Sequence, residues 1–220
     1  MLIYLIKEIF RSNILLLKLY LSINDSSRSK SIKKNQVAVC GFPRSGNTFL
    51  GRVLRFSSIG SISLVNHFHS SAQLIRSVKI GIPSVLILRD PVEVILSLYI
   101  GYQTKNKKRL PITIHYLRYL IYHISLLPYR KKLLVIHFHE IKNNPEYFIS
   151  LYKKKYGGEF KNITNLKDEV LDSISREMKP GNELKSSRPN KEKDDLKYLY
   201  KTNVESNILS SFAKIIHSKF

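Results

Sequence analysis

The chain has 220 residues, 43% of them hydrophobic and 10% aromatic, with nine glycines and eight prolines; that suits one domain with a full core and excludes a disordered or fibrous chain. A single cysteine, Cys40, excludes an intramolecular disulfide and gives secretion no support, so a reducing, cytoplasmic setting is the default. Thirty-seven Lys and Arg against 16 Asp and Glu leave a formal charge of +21, which suits a polyanionic ligand, an anionic membrane surface or nucleic acid without choosing among them.

The opening MLIYLIKEIFRSNILLLKLYLSIN is interrupted by Lys7, Glu8, Arg11 and Lys18. It therefore lacks the run of about 18 uncharged apolar residues that a bilayer span needs, and it has no small-residue cleavage site of a secretory signal. It reads as an amphipathic helix packed on the domain, with peripheral membrane contact through residues 1–22 as the alternative. NDSSRSKSIKKN (24–35) is polar and basic and reads as a linker, so residues 1–35 form a helix plus linker and residues 36–220 the main domain.

From Gln36 onward, short apolar runs alternate with helical stretches: VAVC (37–40), SISLVN (61–66), SVLIL (84–88) and LLVIHF (133–138). The alternation predicts an α/β fold, a three-layer α/β/α arrangement around a central parallel sheet. Helices are expected to start near Asn47, near Ser71 as N-cap, and at Asp90-Pro91, where Asp caps, Pro fills the first turn and Glu93 completes a capping box. Residues 115–127 and 146–158 read as later helices, the second closed by Gly157 and Gly158, and the Lys-rich stretch 185–197 as a loop and a solvated helix start.

VAVC runs directly into GFPRSGNTFL, a tight glycine-containing turn joining a buried strand to a helix. Successive N–H groups and the helix N-terminus converge there, and glycine lets phosphate oxygens approach the backbone. Arg44 adds a guanidinium fork, and Ser45 and Thr48 add hydroxyls. The spacing matches G-x-x-x-x-G-K-T except that Asn47 stands where a magnesium-dependent NTPase carries its lysine, which weakens a kinase or GTPase reading. SVLILRDPVEVILSLY places Arg89 at the carboxyl end of a buried strand and Ser97 two helical turns on, where both can address one anion. The bland reading pairs Arg89 with Asp90 or Glu93 and leaves Ser97 an ordinary helix residue.

PRSGNTFL resembles the 5′-phosphosulfate loop of the sulfotransferase superfamily, and Arg89-Asp90-Pro91 with Ser97 resembles its 3′-phosphate motif. The resemblance spans about Val37 to Gly158 and implies a P-loop NTPase-like sulfotransferase fold that takes 3′-phosphoadenosine 5′-phosphosulfate (PAPS) as co-substrate, with no metal. It implies that Arg44, Ser45, Gly46, Asn47 and Thr48 hold the 5′-phosphosulfate and that Arg89 and Ser97 hold the 3′-phosphate. Phe138 falls where the family stacks an aromatic ring on adenine, and Arg188 and Lys191 are the nearest match to its C-terminal basic loop.

Between the two anion motifs, SLVNHFHS ends a predicted strand with two histidines one residue apart, which share a face. Histidine suits the removal of a hydroxyl proton near neutral pH. The resemblance aligns His69 with the base and His67 with a neighbouring lysine, while the spacing to Arg89 favours His67. A metal site is the other use of such a pair, repeated at His137 and His139.

The expectation is thus a transferase moving a sulfuryl group to the hydroxyl of a small-molecule or glycan acceptor, with no nucleic-acid partner. Tyr99, Tyr102, His115, Tyr116 and Tyr119 are expected to line the acceptor cleft. The alternatives are a P-loop phosphoryl transferase and a basic, non-catalytic anion-binding protein.

Overall fold

A computed structural model describes residues 2–17, 36–65, 69–101, 110–176 and 191–220. The linker 24–35, His67, Tyr102 and Arg188 lie outside the described residues.

Four strands, β1 (Gln36–Gly41), β2 (Ser63–Val65), β3 (Ser84–Leu88) and β4 (Leu134–His137), form one sheet in the order β2-β1-β3-β4. Every pairing is parallel, with Ala38 opposite Ser84, Gly41 opposite Ile87 and Leu88 opposite His137. Strands buried on both faces read as nearly continuous apolar runs, and β3 is buried along its whole length, its one polar side chain, Ser84, donating to the Ile82 carbonyl at 2.9 Å.

Alternate side chains of each strand enter two separate cores. Ala38, Cys40, Leu86 and Leu88 pack with α3 (Ser71–Lys79), α4 (Pro91–Gly101), α5 (Ile112–Leu126), α9 (Lys191–Glu205) and α10 (Ile208–His217). Val37, Val39, Val85, Ile87, Leu134 and Ile136 pack with α2 (Asn47–Ser57), α6 (Phe138–Asn143), α7 (Pro145–Tyr156) and α8 (Leu166–Arg176). The sheet therefore lies between two helical layers, as the alternation of elements predicts.

The ends of the helices follow local chemistry. Ser70, one residue earlier than expected, caps α3 by accepting from the Gln73 N–H at 3.3 Å. Asp90 Oδ1 accepts from the Glu93 N–H at 3.0 Å, as its capping position predicts, while the Glu93 carboxylate turns to Arg89 instead of closing the box. Gly157, at φ 75°, ends α7.

One expectation is corrected. β4 stops at His137 because that residue caps α6 together with Glu140, so His137 and His139 do not share a strand face. Residues 185–190 lie outside the described residues; α9 begins at Lys191, and its first turn is exposed as expected except for Lys193, which is buried.

The N-terminal helix α1 (Leu2–Ser12) packs against α5 and α3. Glu8 on α1 is buried, and its Oε2 accepts from Arg118 Nε at 3.1 Å. Burial pushes the Glu8 carboxyl up, with Arg118 and Arg11 pulling the other way.

Candidate anion-binding site

β1 and β3 are neighbours, yet the helices that follow them leave on opposite faces of the sheet, α2 into one core and α4 into the other. That divergence makes the carboxyl ends of the two strands the topological switch point, where an open α/β sheet usually has its ligand crevice.

The turn after β1 lines this crevice. Arg44 has φ 75° and Gly46 φ 104°, and such left-handed residues turn successive N–H groups toward a common point. For arginine the conformation costs about 1–2 kcal/mol, so the loop must be held. The Ser45 N–H donates to the Phe42 carbonyl at 3.0 Å, and the Asn47 amide donates back to the Gly41 carbonyl at 3.1 Å and the Phe42 carbonyl at 3.4 Å. Gly46 is required by packing as well: a Cβ there would lie 2.3 Å from Cδ2 of Phe138. The first turn of α2 holds no acidic residue, so its positive end faces the crevice without a neutralising carboxylate of its own.

The two anion motifs meet. Arg44 Nε donates to Ser97 Oγ at 3.2 Å, and Arg89 Nη1 donates to the Arg44 carbonyl at 3.1 Å. Arg89 also pairs with Glu93 at 3.1 Å, as the bland reading has it, but Glu93 is largely exposed and such a pair contributes little in water. The Arg89 guanidinium lies over the Phe138 ring, 5.1 Å from its centroid, so the ring expected to stack on adenine carries Arg89.

His69, with φ 46°, reaches the same loop. Its Nδ1 lies 3.2 Å from the Gly41 carbonyl and 3.1 Å from Asn47 Nδ2. The tautomer with its hydrogen on Nδ1 donates to the Gly41 carbonyl and keeps the ring's lone pair on Nε2, whereas the other tautomer accepts at Nδ1 from Asn47.

Of the other expected residues, Ser45 is buried inside the loop, Thr48 is exposed in the first turn of α2, and Lys191 is an exposed first residue of α9. The residue missed in the sequence is Lys193, only 6% exposed. Burial lowers its pKa to about 8, and Arg44, Lys197 and Arg89 push the same way against Asp194. Arg44, Arg89 and Lys193 thus share one electrostatic neighbourhood. The charge-dense KEKDD in which Lys193 stands conceals which lysine turns inward.

The aromatic expectation is corrected. Tyr116, Tyr119 and His115 are fully buried core residues rather than the lining of a cleft: the Tyr116 hydroxyl donates to the Val204 carbonyl at 3.0 Å, and Tyr119 Oη lies 3.1 Å from His217 Nδ1. Tyr99 packs edge-on against Tyr200 and His115. Among the described residues, no group of three or more His, Cys, Asp or Glu could hold a metal ion.

No protein-family model matches the chain, and the search of curated proteins finds no match to its sequence.

Proposed function

We propose that the chain is a sulfotransferase that takes the sulfuryl group of PAPS to an acceptor hydroxyl. The observation that carries this reading is the convergence of Arg44, Ser97 and Arg89 through two hydrogen bonds of 3.2 and 3.1 Å. A nucleotide with phosphates at both its 5′ and 3′ positions needs two such cradles side by side, whereas a nucleoside triphosphate needs one elongated cradle and a metal. The Asn47 amide supports the distinction, because it binds loop carbonyls in place of a lysine extended toward β and γ phosphates.

The loop amides, Arg44 and Thr48 bind the 5′-phosphosulfate, and Arg89 and Ser97 bind the 3′-phosphate. Lys193 adds a third cation. His69 takes the acceptor's hydroxyl proton at Nε2 while the acceptor oxygen bonds to sulfur. The bond between sulfur and the bridging phosphate oxygen breaks, and its electron pair stays on that oxygen, where Arg44 and the positive end of α2 stabilise the charge.

Calorimetry with 3′-phosphoadenosine 5′-phosphate against ATP and ADP tests the class: the 3′-phosphorylated nucleotide should bind at least about tenfold tighter, a difference of about 1.4 kcal/mol. Tighter binding of ATP would point to phosphoryl transfer and overturn the proposal. With isotope-labelled donor, Arg44→Ala and His69→Ala should abolish transfer, and full transfer by either refutes the role given to that residue.

A further inference from the structure

α1 is docked inside out. An amphipathic helix on a water-soluble domain normally turns its apolar stripe inward. Here Glu8 is 1% exposed and bonded to Arg118, whereas Leu2, Ile3, Ile6 and Ile9 are 68%, 58%, 42% and 48% exposed. At 3.6 residues per turn, Leu2, Ile6 and Ile9 lie along one side with Ile3 beside them, and Glu8 and Ser12 lie on the other. A second contact holds the polar side down, because Ser70 Oγ donates to the Arg11 carbonyl. The buried ion pair fixes the helix's rotation, since turning Ile6 inward would strand Arg118 in the core without its carboxylate.

We propose that this outward apolar face seats the protein on an anionic lipid bilayer, with α1 lying in the plane of the interface. Charge selects this occupant: the chain carries +21, so a second copy would bring like charge to like, whereas an anionic surface attracts it. Lys7 is exposed beside the apolar stripe, at headgroup depth when the isoleucines are immersed. Arg28, Lys30, Lys33 and Lys34 follow in the sequence. Size argues the same way, because one side of a three-turn helix offers far less than the roughly 800 Å² per partner of a stable dimer. No described helix is long and apolar enough to cross a membrane, so α1 lies on the bilayer. This inference is independent of the nucleotide site.

The test is flotation of the full chain with vesicles of phosphatidylcholine alone and of phosphatidylcholine with phosphatidylglycerol in equal parts, at physiological salt. The chain should float with the anionic vesicles. Ile6→Ser/Ile9→Ser and, separately, Leu2→Ser/Ile3→Ser keep every charge and alter only exposed positions, and each should weaken partitioning by at least about tenfold, as loss of isoleucine burial requires. Flotation of both variants at wild-type level would show charge alone at work and overturn the proposal. So would a wild-type chain that stays in solution, or one that forms a dimer abolished by Ile6→Ser/Ile9→Ser while ignoring vesicles.

Discussion

The guanidinium of Arg89 donates to the main-chain carbonyl of Arg44 across 3.1 Å, joining residues 45 positions apart. This bond couples the end of β3 to the turn after β1, and through Arg44 Nε to Ser97 on α4. Arg89→Ala should therefore do more than remove one cation: it releases the Arg44 carbonyl and frees the left-handed turn. We expect at least about 100-fold weaker binding of 3′-phosphoadenosine 5′-phosphate, against roughly tenfold for Ser97→Ala, which removes one neutral hydroxyl. Equal losses measured by calorimetry would show that the loop does not depend on Arg89.

Gly46 is pinned twice, by φ 104° and by the Phe138 ring. Gly46→Ala should destabilise the fold by about 1–3 kcal/mol. Adding Phe138→Ala removes the clash but not the backbone strain, and it opens a cavity of its own. In denaturant melts the double variant should therefore be less destabilised than the sum of the two single variants. Simple additivity would show that the ring yields to the added methyl without cost.

Lys193 supplies a pH signature. Its pKa is lowered to about 8, and a bound polyanion favours the charged form, so binding above that pH takes up a proton. Affinity for 3′-phosphoadenosine 5′-phosphate should fall as pH rises from 7 to 9.5, by roughly tenfold. Lys193→Met should bind more weakly at pH 7 and show a flatter profile. A wild-type affinity that does not change over this range would place Lys193 outside the site.

The buried pair between Glu8 and Arg118 predicts non-additivity. Glu8→Gln leaves a buried guanidinium without its counter-charge and should cost about 3–5 kcal/mol, read as lost hydrogen-exchange protection in α1 and α5. Glu8→Leu with Arg118→Met replaces both charges by apolar groups and should recover most of the loss.

Acid should destabilise the core. Burial lowers His115 and His123 to about 3, well below the unfolded value of about 6.5. Between those limits the unfolded chain binds more protons, so stability falls as pH drops, by at most about 1.4 kcal/mol per pH unit for each group. His123→Phe removes one titration and should make the decline of Tm between pH 6.5 and 4 shallower. An unchanged slope would mean that His123 does not contribute.

The local sequence determined the strands, the turn at Gly41 to Gly46 and the caps at Ser70 and Asp90, because each depends on neighbours within a few positions. Apolar runs of β-branched residues pair as strands wherever they are covered, and a Ser or Asp side chain caps the backbone beside it. The tertiary structure alone decided the rest. Which lysine of KEKDD turns inward, whether Tyr116 and Tyr119 face a cleft or the core, and which side of α1 meets the domain are settled by partners far away in the chain. Glu8 shows the reason: its own helix would leave it in water, and only Arg118, 110 positions on, makes its burial tolerable.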